Sequence, residues 1–390
     1  MTIFLIILFW LAAGWIFYVF IGYPLLMALL ARVRAKPLRP VAGYHPSVCF
    51  VMAAYNEAGC IGEKLQNYMD LDYPRELLSF MIGSDASTDA TDGIIESYAA
   101  RDSSIVLTRF NRVGKTQIVY ELAERVGADI IVFTDADILL ERDGVRVIAG
   151  CMADPTIGGV IGTIAYRDTE ANAGNTGQGK YLQLENTLRR CESLFWTTVG
   201  PDGECFAVKR GSYEPLRDYR LSDDLNLVIT IPSRGLRVWY EPKLLLQEIN
   251  RRSLTSEYRR RLRMGQQAAA TLLSYRETRF PWRSLAGFQI WSHKLLRNLA
   301  AIPMALVVVT SLLLAILLPE SLFFTVAAGL ALLWGVALVI GLVGERLSFK
   351  FRPLQYPLYF TSMLTSLTIG SMRAVFSGGL EMWNSPREGG

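Results

Sequence analysis

Two carboxylates one residue apart, Asp135 and Asp137, follow a short apolar run at Asp129–Thr134. At the end of a buried strand they would repel each other, and a divalent cation removes that cost. Hard ions such as Mg2+ take one or two protein carboxylates and fill their shell with phosphate oxygens and water. The pair therefore predicts a phosphate-bearing substrate bound with metal. A second acidic pair, Asp223-Asp224, follows Leu221-Ser222. A carboxylate within hydrogen-bond reach of a hydroxyl can take its proton as a new bond forms. The plainer reading of this pair is a helix cap beside a first-turn acid. Asn111-Arg112-Val113-Gly114-Lys115-Thr116 carries a Gly-Lys-Thr but lacks the earlier glycine of a Walker loop. Lys115 is a candidate nucleotide contact, with a solvated helix-start lysine as the alternative.

Alternating elements must position these residues. Apolar runs at Val48–Ala54, Leu77–Gly83, Ser104–Thr108, Asp129–Thr134 and Gly158–Ile164 read as strands. Glu57–Met69, Thr88–Ala100, Lys115–Val126 and Glu141–Met152 read as helices between them. That alternation predicts an α/β fold with a mostly parallel sheet. Ligands of such sheets sit beyond the carboxyl ends of the strands. Those ends carry Ala54-Tyr55-Asn56-Glu57, Ser84-Asp85-Ala86-Ser87-Thr88-Asp89 and Thr134-Asp135-Ala136-Asp137, three polar or acidic groups on one rim. Thr169–Gly179, rich in Gly, Asn and Ala, reads as a mobile loop.

The order and spacing of Tyr55-Asn56-Glu57, Asp85 and the Asp135/Asp137 pair resemble the motifs of family 2 glycosyltransferases with a GT-A, Rossmann-like nucleotide-sugar fold. The resemblance runs over roughly Pro46–Gln266. It implies a nucleotide-diphosphate sugar donor, with a uridine base as the first expectation. Ala54, Tyr55, Glu57 and Asp85 would hold base and ribose, and Lys115 would support the nucleotide. Asp135 and Asp137 would hold Mg2+ or Mn2+ on the diphosphate. Asp224 resembles the family's general base, beside Asp223 as a candidate acceptor contact. One base without a covalent carboxylate implies a single in-line displacement with inversion. The segment Pro201–Arg210, with Gly203, Glu204 and Cys205, resembles the acceptor side of membrane synthases. Trp196 is a candidate sugar platform, or a buried aromatic. In processive members a Gln-x-x-Arg-Trp motif follows. Here Arg261 matches the Arg and is a candidate diphosphate contact, but Tyr258 and Leu262 replace Gln and Trp.

Of the 390 residues only 19% are charged, and the net charge is +4, against roughly 25% charged in a soluble domain. This argues against an ordinary soluble enzyme and gives no reason to expect nucleic acid. Five cysteines without a CxxC pair exclude a disulfide framework and a cysteine zinc site and fit a reducing compartment; two histidines exclude a histidine-rich metal site. Ile3–Ala31 has no charge and exceeds the roughly 20 residues that cross a bilayer. Lacking a basic start, it reads as a retained anchor. Three further spans are expected at about Leu299–Leu318, Ser321–Val343 and Pro353–Met372. Basic residues after the first span, before the second and between the last two share one side if the middle segment is cytoplasmic and the N-terminus outside. That suits a bacterial plasma-membrane type of protein. Six arginines within residues 251–263, followed by the aromatic stretch Tyr275–Trp291, suggest a basic interfacial segment.

The expected plan is a span and basic linker (1–45), a catalytic domain (46–250), an interfacial segment (251–297), and three spans with a tail (298–390). The leading expectation is an inverting transferase extending a polysaccharide or oligosaccharide. The alternative is one that glycosylates a membrane lipid such as a ceramide, diacylglycerol or polyprenyl-linked acceptor. A binding protein on a retired scaffold would lack the metal pair or the base, and both are present. A nucleotidyltransferase would need a Gly-rich basic loop after the first strand. A transporter would need ionisable residues inside its spans.

Overall fold

The structure is a computed structural model that describes residues 1–166, 173–201, 204–216, 218–249, 254–346 and 352–376. The chain opens with α1 (Thr2–Phe17) and α2 (Tyr23–Val33), joined through a π-helical turn at Tyr18–Gly22. The α/β part runs β1 (Val48–Ala54), α3 (Ile61–Met69), β2 (Leu78–Asp85), α4 (Thr91–Ala99), β3 (Ile105–Phe110), α5 (Lys115–Glu124), β4 (Ile130–Thr134), β5 (Ile138–Leu140), α6 (Gly144–Met152) and β6 (Ile157–Tyr166). It continues through α7 (Ala173–Phe195), β7 (Cys205–Lys209), α8 (Asp223–Ser233) and β8 (Arg237–Glu248). Then come α9 (Leu254–Ser274), α10 (Arg276–Arg279), α11 (Leu285–Ile290), α12 (Leu296–Asn298), α13 (Ala301–Leu317), α14 (Leu322–Arg346) and α15 (Arg352–Phe376).

One eight-stranded sheet has the order β3-β2-β1-β4-β7-β6-β8-β5. β3, β2, β1 and β4 are parallel; β7 joins antiparallel to β4 and β6. Strand period explains why the sheet is covered on both faces. In β1, Val48, Phe50 and Met52 enter a core with Ile61, Leu65 and Ile148, while Cys49 and Val51 enter one with Ile118, Leu122 and Val228. From β1 the chain moves outward to β2 and β3, then returns to the other side of β1 as β4. The order thus reverses at β1/β4, which is where open α/β sheets bind ligands, beyond the strand ends.

One expectation changes here. Residues 173–179, read as part of a loop, begin α7; residues 169–172 lie outside the described residues. A long helix that packs on α2 and β8 overrides the weak propensity of its Gly-rich start. Among the described residues two helices are long and apolar enough to cross a membrane, Thr2–Val33 and Leu322–Gly344. Leu285–Asn298 and Ala301–Leu317, bent by 54°, make a third if they cross as one. The span expected at Pro353–Met372 is helical but falls outside that set. Thr361, Ser362, Thr365, Ser366, Thr368 and Ser371 lower its apolarity. It lies along α9, where Gly265 faces the Leu367 carbonyl and Gly370 faces the Leu262 carbonyl. A side chain at either glycine would push the two backbones apart.

The Tyr275–Trp291 stretch is a broken helix rather than a continuous one. Trp282 and Leu285 stay largely exposed there, and Trp291 donates to the Thr278 carbonyl at 2.6 Å.

A buried ionic cluster fastens α2, α7 and the π-helical turn at Trp291–Leu295. Glu192 accepts from Tyr23 Oη at 2.6 Å and meets His293 Nδ1 at 2.8 Å. His293 Nε2 meets Glu185 at 2.7 Å, and Arg297 binds Glu185 bidentately at 2.7 and 3.0 Å. Burial disfavours the Glu185 carboxylate, yet Arg297, His293 and Arg189 hold its pKa well below the ordinary value. Removing one member of such a cluster leaves its partners buried without compensation. Glu192→Ala is therefore expected to destabilise the protein by about 3–5 kcal/mol. Unfolding of the detergent-solubilised protein measures this; an unchanged unfolding midpoint would refute it.

Candidate active site

Three turns at the carboxyl ends of β1, β2 and β3 share an uncommon backbone. Among the described residues the non-glycine positions with positive φ are Asn56 (53°), Ala86 (58°) and Arg112 (55°). Such geometry costs free energy and gathers at functional sites. Side chains hold these turns together. Asn56 Oδ1 accepts from the Thr88 backbone N–H at 2.8 Å, and Thr91 Oγ1 accepts from the Glu57 N–H at 2.8 Å. Cys60 donates to the Glu57 carboxylate at 3.1 Å.

Asp85 is 1% exposed at the end of β2. It accepts from the N–H groups of Val113 (2.7 Å) and Gly114 (3.1 Å) and from Arg112 Nη1 (3.1 Å). It thus organises the loop that starts α5, whose turn needs Gly114 at φ 92°. Arg112 lies with its guanidinium 3.3 Å from the Tyr55 ring centroid. Tyr55, Asp85 and Arg112 form one unit at the β1–β2–β3 end of the rim, a stacked cation and a ring beside a buried carboxylate. Ala54 is buried at the end of β1.

The Asp135-Ala136-Asp137 turn joins β4 to β5. The Asp135 N–H donates to the Glu204 carbonyl at 3.3 Å, and the Ile249 N–H donates to the Asp137 carbonyl at 2.9 Å. The turn is therefore fixed by β7 on one side and the end of β8 on the other. Lys115 Nζ sits 2.5 Å from Asp135 Oδ1. Burial alone would lower the Lys115 pKa, but Asp135, Asp223 and Asp224 outweigh it and raise it. One ammonium thus lies within electrostatic reach of both acidic pairs, which are some ninety positions apart in sequence.

Ser222 caps α8, accepting from the Leu225 N–H at 3.4 Å. Asp224 accepts from the same N–H at 2.8 Å and from Ser222 Oγ. Burial and then the neighbouring Asp223 push the Asp224 pKa up from the ordinary carboxylate value. Asp223 is turned back on the helix start, accepting from the Asp224 N–H at 3.0 Å, and its carbonyl accepts from Tyr120 Oη at 3.4 Å. The acids open a helix, as the plainer reading expects, and Asp224 among them has a raised pKa.

The remaining predicted residues separate. Glu204 and Cys205 stand beside the Asp135-Ala136-Asp137 turn, Cys205 opposite Thr134, but the two residues are only 6% and 7% exposed. Cys205 belongs to the core, and burial drives its thiol up to about 12. Gly203 lies outside the described residues. Trp196 is not at the rim: its ring lies under Lys36 Nζ at 4.9 Å, and its carbonyl accepts from Arg237. Arg261 is directed to α15, where it donates to Tyr359 Oη at 2.7 Å. The close α9–α15 packing brings these two residues together.

Sequence reasoning missed Lys64. It is 2% exposed on α3 and donates to Thr134 Oγ1 at 2.9 Å and to the Ile138 carbonyl. Burial lowers its pKa to about 8, opposed by Cys205, Asp135 and Asp137. Arg112 was inside a quoted motif, yet only its cation–π contact with Tyr55 brings it forward.

The donor chemistry fits a hard cation. Asp135 and Asp137 offer carboxylate oxygens, and no group of three or more His, Cys, Asp or Glu suited to a metal occurs among the described residues.

Comparison with known proteins agrees with this geometry. Residues 49–217 match the model of Glycosyl transferase family 2. An N-acetylglucosaminyltransferase of Rhizobium meliloti is 25% identical over 252 residues, covering 59% of this chain and 57% of that protein. A beta-monoglucosyldiacylglycerol synthase of Synechocystis is 24% identical over 243 residues, covering 59% and 51%. A poly-beta-1,6-N-acetyl-D-glucosamine synthase of Staphylococcus aureus is 23% identical over 254 residues, covering 63% and 61%. The chain thus spans between half and two thirds of these curated relatives. Among solved structures, a mannosyltransferase from Pyrobaculum calidifontis in complex with GDP-Man and Mn2+ superposes with a TM-score of 0.72 and 25% identity, covering 95% of this chain and 100% of that one.

Proposed function

We propose, from the premise that residues 49–217 form a glycosyl transferase family 2 domain of GT-A type, that this protein is a membrane-bound inverting glycosyltransferase. It transfers a sugar from a nucleotide-diphosphate donor to a growing polysaccharide or oligosaccharide. The observation that carries the reading is Lys115, whose ammonium pairs with Asp135 and whose pKa is also raised by the charges of Asp223 and Asp224.

Roles follow from position. Tyr55, Asp85 and Arg112 offer a ring, an anion and a planar cation to a base and ribose, with Ala54 and Glu57 beside them. Asp135 and Asp137 would hold Mg2+ or Mn2+, which neutralises the departing nucleotide diphosphate. Lys115 can exchange its bond to Asp135 for a phosphate oxygen. Asp224 takes the acceptor proton. The raised pKa makes it a stronger base than an ordinary carboxylate. Asp223 keeps the helix start in register. Glu204 lines the acceptor side through its backbone. The two helices long enough to span a bilayer, the cytoplasmic placement expected from flanking charge, and the names of the relatives support a plasma-membrane setting.

A second reading, transfer to a membrane lipid, is favoured by one feature. An apolar hollow of about 430 Å³ lined by Pro281, Trp282, Ser284, Leu285 and Phe288 opens next to the bent helix pair. The departure from Gln-x-x-Arg-Trp points the same way.

Purified full-length protein incubated with Mn2+ or Mg2+ and a panel of UDP- and GDP-sugars is expected to release nucleoside diphosphate from one donor, only with metal. Sizing and solvent extraction of the product then separate polymer from glycolipid. Absence of release from every donor, with membrane lipid and oligosaccharide acceptors supplied, would overturn the reading.

A further inference from the structure

A buried lysine behind a metal turn has a consequence for binding order. Lys64 does not touch the cleft; its Nζ ties Thr134 to Ile138, the residues that flank Asp135-Ala136-Asp137 on either side. Its ammonium is fixed there by two acceptors and by burial at 2% exposure. Lys115 approaches the same turn from the open side and pairs with Asp135, its side chain 23% exposed. Asp135 therefore already carries one ammonium, and a second lies behind the same turn, where the charges of Asp135 and Asp137 act on it. A free dication approaching Asp135 and Asp137 meets two ammonium groups beside the two carboxylates, and at short range in a partly desolvated site that repulsion matters. Lys115 is placed to swing onto a ligand. Lys64 is not, because leaving would strand the Thr134 hydroxyl and the Ile138 carbonyl inside the core.

We propose that Lys64 is a positioning residue that sets the order of loading: with Lys115 it keeps the Asp135/Asp137 turn closed to a free divalent cation, so that metal enters only together with a nucleoside diphosphate. This rests on the assignment of Asp135 and Asp137 as the metal ligands. The diphosphate supplies the missing negative charge and draws Lys115 away, while Lys64 stays beneath the turn and holds both carboxylates in place.

The test is Mn2+ binding to the full-length detergent-solubilised protein, followed by the electron paramagnetic resonance signal of free Mn2+. Titrations are run with Mn2+ alone and with saturating UDP or GDP, corrected by protein-free titrations for Mn2+ held by the nucleotide. In the unaltered protein the diphosphate is expected to tighten Mn2+ binding about tenfold or more. Lys64→Gln keeps a donor for Thr134 and removes the charge. It should tighten binding of Mn2+ alone by about tenfold or more and narrow the gap between the two titrations. Lys64→Arg, which keeps the charge, should preserve the gap. A purely structural lysine predicts the opposite, weaker Mn2+ binding by Lys64→Gln under both conditions, and that result overturns the proposal. So does tight binding of Mn2+ alone by the unaltered protein. If Lys64→Gln does not fold, Lys115→Gln removes the second cation from the open side and must also tighten binding of Mn2+ alone; no gain there overturns the proposal equally. Failure of the unaltered protein to bind Mn2+ in any condition removes the metal assignment itself, and the loading order with it.

Discussion

Asp224→Asn is expected to bind the sugar donor as the unaltered protein does and to lower turnover by about 10²–10⁴-fold, the range of a lost general base. The substitution is nearly isosteric. The Leu225 N–H can still donate to the amide oxygen, so the start of α8 is kept. What disappears is the capacity to accept the acceptor's proton. The pH profile gives an independent reading. Burial and the Asp223 charge raise the Asp224 pKa, so the ionised form is lost at a higher pH than for an ordinary carboxylate. Activity of the unaltered protein should therefore fall on acidification through a pKa above the usual carboxylate range. Asp223→Asn removes part of that push and should move the acid limb to lower pH, with a much smaller loss at neutral pH. Equal losses from both substitutions, or normal turnover by Asp224→Asn, would place the base elsewhere.

These residues were legible in sequence for a physical reason. The strand-end motifs are local. Apolar runs mark where β1, β2 and β4 end, and the sheet topology alone then sends their next residues to one rim. The run Val48–Ala54 is β1 as observed, and Asp85 closes β2. Elements that depend on distant partners were not legible. β5 has three residues and exists because β8 pairs with it antiparallel. β7 was read only as an acceptor segment, yet it bridges β4 and β6 and thereby fixes Asp135 through the Glu204 carbonyl. Lys64 reads in sequence as one more exposed helix lysine, because its partners are seventy or more positions away. Arg261 shows the converse. Its place in a motif suggested phosphate, and its contact with Tyr359 comes from the packing of α9 on α15. His293 carried no pattern at all, and its role as a buried link between Glu185 and Glu192 comes entirely from tertiary structure.

Asp137→Ala is the second large expected effect. It should abolish the dependence of donor binding on metal, leaving donor affinity with Mn2+ equal to that without it. The loss should be roughly 100-fold or more, since even outer-shell changes around metals reach 10–100-fold. The backbone gives no reason for the turn to collapse, because the Ile249 N–H holds the Asp137 carbonyl and not its side chain. A rival account is that Asp137, 6% exposed, exists only to offset the buried Lys64 ammonium. The two accounts differ in what the metal does afterwards. If Asp137 only offsets Lys64, the alanine variant unfolds more readily but Mn2+ still tightens donor binding. If it is a ligand, Mn2+ ceases to matter to the donor whatever the change in stability. Adding Lys64→Gln to Asp137→Ala restores the charge balance and should recover stability without recovering metal dependence. Donor titrations with and without Mn2+, beside thermal unfolding of the single and double variants, decide between them.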